Sequence, residues 1–201
     1  MDRIVVDVEI AKPIEECSRG WDSTDEMGVS CACVWEYQTW RLRVYGPDDV
    51  GGLQARLLRA DEIISFNGWR FDFPVIWSVS KANWQRGEEP ARFWALKAAL
   101  RPRSNDLLER IWRAVGLDPD SFQRETHGGW SLDNIAKGTL GVGKIGYGGD
   151  APKWFRVGQW ARVANYCADD VALTRDLSDF IDRYGYVISA NSEQVVKIPQ
   201  R

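Results

Sequence analysis

An α/β fold, with a central mixed β-sheet flanked by α-helices, is predicted for this chain of 201 residues. Three observations carry the prediction: an apolar strand near the start, two β-rich runs close behind it, and helical patterns interspersed with one more short strand over the rest. The length suits one domain able to bury its own core, expected to run from about residue 3 to 184 with a tail over 185–201.

Taken in order, residues 3–10 read as a buried strand interrupted at its far end by two carboxylates. Residues 30–37 and 39–45 form a hairpin expected to pair beside it. Residues 47–59 carry Val50, Leu53, Leu57 and Leu58 at helical spacing, with Asp48 as cap. Residues 62–66 make a further short strand ending at Asn67-Gly68. Helices are expected over 71–84, where Pro74 is tolerable only in the first turn, over 106–115, and over 131–140, which opens on a serine cap and ends at glycine. The Gly-rich segment 138–158 reads as a long loop, and loops of that length in compact domains are commonly functional or disordered. Residues 157–184 form a long amphipathic region, followed by a short strand over 186–188.

Composition narrows the class. Hydrophobic residues are 44% and charged residues 27%, with no apolar run of membrane-spanning length and no leader pattern, so a soluble, intracellular, cytoplasmic protein is expected. Cys17, Cys31, Cys33 and Cys167 are too few for a secreted disulfide framework. No C-x2-C pair occurs and the single histidine, His127, is distant in sequence, so a zinc site built on these cysteines is not expected. Cys31 and Cys33 alternate along a strand and should share one face, with core placement the better account. The net charge of −3 conceals two basic stretches, 81–113 and 137–162, each net +4. They read either as solvated faces or, beside a carboxylate site, as phosphate contacts.

Strand alternation places Asp7 and Glu9 on one side of the sheet and Val6 and Val8 on the other. Two like charges side by side are tolerated where a divalent cation lies between them, and hard oxygen donors suit Mg²⁺ or Mn²⁺. Alone, D-x-E is a weak signal. Asp72, in Asn67-Gly68-Trp69-Arg70-Phe71-Asp72-Phe73-Pro74, opens a helix, where capping is the simpler reading. Tyr166 and Asp170 are four apart on a helix and face the same way, whereas Asp169 is turned by about 100°.

In this order, D-x-E, N-x-x-x-F-D-x-P and Y-x-x-x-D resemble the three motifs of the DnaQ-like, or DEDD, 3′-to-5′ exonucleases. The chain is most similar to the proofreading domain of family B DNA polymerases and to YprB-type RNase H-like proteins. The likeness spans residues 7–177. It extends to Trp130-Ser131-Leu132-Asp133-Asn134-Ile135-Ala136 with Leu140-Gly141 and Lys144, which resemble the helix and loop between the second and third motifs. Tyr166 puts the chain in the tyrosine branch, since His127 is far from Asp170.

The resemblance implies an RNase H-like fold and two-metal hydrolysis of phosphodiesters at the 3′ end of single-stranded or frayed DNA, with RNA possible. It implies that Asp7 bridges two Mg²⁺ or Mn²⁺ ions, that Glu9 and Asp170 hold the nucleophile-side ion, and that Asp72 supports the other through water. Tyr166 would orient the attacking water, because a phenol with an ordinary pKa near 10 is a poor base at neutral pH. Asn67 and Phe71 match the second motif as contacts to terminal nucleotides, or serve as a turn residue and a core aromatic. Ile10-Ala11 follows Glu9 where these families often place threonine or serine, so recognition of the terminal sugar departs from their pattern.

Gly138 to Lys144 nearly spells a P-loop, but Ile145 stands where the metal-binding hydroxyl belongs and the preceding segment is helical. Lys144 and Lys153 are instead candidate contacts to a nucleic-acid backbone. Trp69, Trp130 and Trp154 are candidate stacking platforms among eleven tryptophans, most of which belong to the core. The expected activity is a stand-alone exonuclease, with a replication or repair protein as partner. The alternatives are an RNase H-like endonuclease on RNA or branched DNA, and a silent nucleic-acid-binding subunit of a replication or helicase assembly.

Overall fold

The computed structural model describes residues 1–81, 83 and 91–200. The apolar strand β1 (Arg3–Ile10) is the centre of a five-stranded mixed sheet in the order β3-β2-β1-β4-β5. β2 (Val29–Glu36) and β3 (Arg41–Tyr45) form the expected hairpin, with β2 antiparallel to β1. β4 (Glu62–Ser65) and β5 (Ser104–Asp106) extend the other side in parallel.

Alternation along β1 divides the core in two. Ile4, Val6, Val8 and Ile10 enter one cluster with Leu53 and Leu57 of α2 (Val50–Arg59), Met27 of α1 (Thr24–Met27), Phe73 of α3 (Asp72–Ile76) and Leu100 of α4 (Ala91–Leu100). Val5 enters the opposite cluster with residues of α5 (Leu107–Ala114) and α7 (Leu132–Leu140); a short α6 (Arg124–His127) lies between these two helices in the chain. The same cluster takes in Ala151 of α8 (Ala151–Arg156) and the long α9 (Trp160–Tyr184). Each Val or Ile fully buried in this way contributes about 1.5–3 kcal/mol.

α9 lies across β1 and β2. Its buried stripe runs through Val163, Tyr166, Cys167, Asp170, Val171, Thr174, Leu177 and Ile181, a three-and-four spacing that carries one carboxylate into an otherwise mostly apolar seam. The helix ends at Gly185, whose φ of 73° is the left-handed geometry of a glycine cap.

A buried ion network locks the hairpin. Glu36, 4% exposed, accepts from Arg56 Nε and Arg43 Nε at 2.8 Å each and from Thr39, while Arg56 also makes a two-pronged contact with Asp2. Burial alone would raise the Glu36 carboxyl, but Arg56, Arg43 and Thr39 outweigh it and lower it to about 2. Stability from an acid depressed in this way is present above the ordinary glutamate value near 4.3 and lost as pH falls toward 2. Glu36→Gln is therefore expected to cost about 3 kcal/mol at pH 7, the scale for breaking a buried pair. Urea unfolding at pH 7 and pH 3 checks this, with the gap between variant and parent narrowing at the lower pH.

Several boundaries differ from the expected ones. The helix expected over 71–84 is α3, which stops at Ile76 with Trp77 as its cap residue and Ser78 at a φ of 50°; residues 82 and 84–90, part of the basic stretch 81–113, lie outside the described residues. Asp48 does not cap α2, because residues Pro47–Asp49 form a 3-10 turn ahead of it. The Gly-rich loop contains α8, preceded by a 3-10 turn over Gly148–Asp150. The tail is part of the fold: β6 (Tyr186–Ile188) pairs with β7 (Val195–Lys197), and Val187, Val196 and Ile198 are buried in the second cluster. Among the described residues no helix is long and apolar enough to cross a membrane.

Candidate active site

Asp7 and Glu9 leave β1 on the side covered by α9, as the strand period requires, and both carboxylates lie within 4.8 Å of each other and of the Cys167 sulfur. Asp170, 2% exposed, and Tyr166, also 2%, reach the same place from the buried stripe of α9. Asp72 comes from the first turn of α3, where its Oδ1 accepts the Val8 amide at 3.1 Å and so ties the helix start to β1 between the two strand acids.

These groups act on one another electrically. Burial raises the Asp7 carboxyl well above its ordinary range, and Asp72, Asp170 and Glu9 push it further. Glu9 is raised by burial and by Asp170. Asp72 is pushed up to about 7 by burial and by Asp106, against its own amide and that of Val8. Asp7 is thus the carboxylate at the centre, repelled by all three others.

Among the described residues, Lys144 is the cation that pairs with this cluster. Its ammonium is 2.5 Å from Asp170 Oδ2 and lies over the Tyr166 ring. Burial works against that charge, but Asp170 and Asp7 outweigh it and hold the ammonium above its ordinary pKa. Lys144 is therefore an internal counter-ion as the chain stands, a role its sequence position in a flexible-looking loop does not reveal. Asp133 on α7 positions it, accepting the Lys144 amide at 2.9 Å.

The glycines beside Lys144 have a steric reason. A side chain at Gly146 would start 3.2 Å from the Tyr166 ring, and one at Gly148 would start 3.5 Å from its hydroxyl. The loop backbone thus lies directly on the tyrosine and forms one wall of a pocket of about 440 Å³ with Tyr147, Trp154, Arg162 and Asn165. Arg162 stacks 4.1 Å from the Trp154 ring.

Asp106 is a supporting residue that the motifs do not contain. It is 3% exposed and caps α5 through the Leu108 and Glu109 amides, while also accepting the amides of Asn67 and Trp69. One carboxylate thereby fixes the turn that delivers Asp72, including Asn67 at its left-handed φ of 70°. Burial and Glu109 push Asp106 up to about 6 against those amides. Asp106→Ala is expected to cost about 3 kcal/mol through orphaned amides and a lost cap, and Asp106→Asn less, because one acceptor survives. Urea unfolding of the two variants measures the difference. An aspartate immediately before Leu107-Leu108 was the available sequence signal.

The remaining candidates are placed unevenly. Asn67 and Phe71 are half-buried, and Phe71 meets Trp21 edge to face at 5.8 Å, which fits a packed aromatic. Lys153 is exposed and pairs with Asp150 at 2.9 Å, outside the carboxylate cluster. Trp69 is only 6% exposed and stands under Arg101, so it is a core residue and not a stacking platform; Trp130 and Trp154 remain half-buried. The basic stretch 137–162 is largely paired, with Lys137 on Asp133, Lys144 on Asp170 and Arg156 on Glu16. His127 is buried among Trp112 and Phe122.

Among the described residues the buried Tyr166 hydroxyl and Asp170 Oδ1 make no hydrogen bond of good geometry, although Lys144 and Asp170 lie near enough to the phenol to act on it. Such atoms cost about 1–3 kcal/mol each when orphaned, and a cation with its bound water would satisfy both. The four carboxylates offer hard oxygen, the chemistry of Mg²⁺ and Mn²⁺, with the Cys167 sulfur as a soft atom beside Asp7 and Glu9. Comparison with known proteins finds no family model and no curated protein that matches this chain.

Proposed function

We propose that the protein is a metal-dependent 3′-to-5′ exonuclease of the DnaQ-like type on an RNase H-like fold. The observation that carries this reading is the pairing of the Asp7 and Glu9 carboxylates within 4.8 Å, with Asp72 and Asp170 near enough to push on Asp7 and with Tyr166 and the counter-ion Lys144 beside Asp170. A fold would not retain this much mutual repulsion in a buried place without use for it. The five-stranded mixed sheet with helices on both faces is compatible with the proposed class.

Asp7, Glu9, Asp72 and Asp170 would hold two Mg²⁺ or Mn²⁺ ions. When bound, such ions lower the pKa of water and offset the charge of the attacked phosphate and leaving oxygen. The protein's own groups do the rest. Tyr166 remains a phenol at neutral pH, since burial raises its pKa despite Lys144, so its hydroxyl orients water and does not remove the proton. Lys144 sits where it can turn from Asp170 to a phosphate oxygen. The pocket beside Tyr166 offers Tyr147 and Trp154 as stacking surfaces and Arg162 as a phosphate partner, which suits the last nucleotide of a flexible strand. Water attacks the terminal phosphorus, the 3′-oxygen of the preceding nucleotide leaves, and a nucleoside 5′-monophosphate is released.

Digestion of 5′-labelled single-stranded DNA and RNA with Mg²⁺ or Mn²⁺ tests the reading. A metal-dependent ladder shortening from the 3′ end, with mononucleotides as product, is the expected result. Internal fragments would point to an endonuclease. Binding without cleavage under either metal would overturn the enzymatic proposal in favour of a silent nucleic-acid-binding subunit.

A further inference from the structure

Directly behind the carboxylates lies a second group of ligand atoms. In the antiparallel register of β1 and β2, Asp7 stands opposite Cys33 and Glu9 opposite Cys31, so the two acids and the two thiols share one face of the sheet. Cys167 of α9 descends onto that face, and the sulfurs of Cys31, Cys33 and Cys167 all lie within 4.8 Å of one another. Three of the four cysteines of the chain converge in this way, while Cys17 lies apart and donates to the Pro13 carbonyl.

We propose that Cys31, Cys33 and Cys167 form a binding site for a thiophilic d¹⁰ cation of the Zn²⁺, Cd²⁺ or Cu⁺ class, distinct from the hard-metal site. Two sulfurs on one tetrahedral zinc sit about 3.8 Å apart, given a bond of ~2.3 Å. The spacing therefore needs only small side-chain adjustments to close on an ion. Sulfur donors select soft cations, whereas the neighbouring oxygens select Mg²⁺ or Mn²⁺, so the two sites divide metals by softness. Spacing rules for zinc motifs miss this trio because its members come from a strand and from a helix more than a hundred residues later.

Cys167 is the shared wall. Its thiol lies 3.4 Å from the Asp7 carbonyl and 3.7 Å from Asp7 Oδ2, and donates to both. Binding a cation through three thiolates releases three protons to solvent and turns that donor into a bound thiolate beside Asp7. Resting on the nuclease reading, occupation of the thiol site is then expected to suppress hydrolysis by disturbing Asp7, the carboxylate at the centre of the cluster.

The test is titration of the reduced, metal-free, full-length protein with Cd²⁺ alone, following the ultraviolet thiolate-to-metal charge-transfer band. One Cd²⁺ per chain, with a band of three-thiolate intensity, is expected. Cys17→Ser and Asp7→Asn should keep it. Cys31→Ala, Cys33→Ala and Cys167→Ala should each weaken binding at least ~10-fold, since even ligands beyond direct contact are worth 10–100-fold. Alanine preserves an apolar side chain, and circular dichroism melting identifies any variant that does not fold; Cys31→Ala, at the slightly exposed margin, is the variant best able to carry the test. Absence of a thiolate band in the parent, or a band unchanged in a folded Cys31→Ala or Cys167→Ala protein, overturns the site. The readout is independent of catalysis, so a protein that binds Cd²⁺ but, when freed of Cd²⁺, cuts no nucleic acid with Mg²⁺ or Mn²⁺ refutes the nuclease reading alone.

Discussion

Replacing Asp7 by asparagine is expected to lower phosphodiester hydrolysis by on the order of 10³-fold or more, since a single well-placed charge-stabilising donor is already worth ~10²–10³. The same change is expected to stabilise the metal-free protein. Asp7 is half-buried, lies within 4.8 Å of Glu9, and is pushed upward by desolvation and by Asp72, Asp170 and Glu9, with Lys144 opposing. Asparagine keeps the shape and an acceptor for the Cys167 thiol but removes one of four repelling charges. A gain of about 1–2 kcal/mol is the usual size for relieving a strained functional site. Rates on a labelled oligonucleotide and urea unfolding in a chelator measure the two effects side by side. Loss of activity together with lost stability would make Asp7 a structural residue, and retained activity would remove it from the site. An Asp7→Asn protein that is both inert and more stable separates function from folding more cleanly than loss of activity alone.

The two-sided character of β1 explains why so much of this was legible from residue order. A strand whose even positions are Ile4, Val6, Val8 and Ile10 must bury that face, and period two then forces Asp7 and Glu9 together on the other. α9 is legible for the same reason, because its three-and-four stripe includes Tyr166 and Asp170 by spacing alone. β5 was not legible. Ser104, Asn105 and Asp106 have poor strand propensity, and they pair only because β4 offers a parallel edge beside them. α8 was hidden by the glycines around it, of which Gly146 and Gly148 lie against Tyr166. The placement of Lys144 and the meeting of Cys31 and Cys33 with Cys167 arise from tertiary contact across the sheet face, and no local pattern encodes them.

Metal withdrawal should show the electrostatics of the site without any substrate. Four carboxylates and one ammonium leave net negative charge in a buried place, so the metal-free protein carries a penalty that Mg²⁺ or Mn²⁺ removes. Binding stabilises the fold by about 2.7 kcal/mol per site at a free concentration one hundred times Kd. The pH dependence has a definite sign. Acids raised by burial bind protons more tightly in the folded than in the unfolded protein, so their contribution is fully present below the ordinary carboxylate range near 4. It is lost as pH rises through their folded values, about 7 for Asp72 and well above the ordinary range for Asp7 and Glu9. Protons and metal compete for the same oxygens, and metal therefore matters most where protons no longer neutralise them. The gap in melting temperature between Mn²⁺-saturated and chelator-treated protein is expected to be larger at pH 8 than at pH 6, and to shrink at both in Asp7→Asn. An equal gap at the two pH values, or one that survives the substitution unchanged, would place the cation elsewhere and leave the buried repulsion among these four acids without its partner.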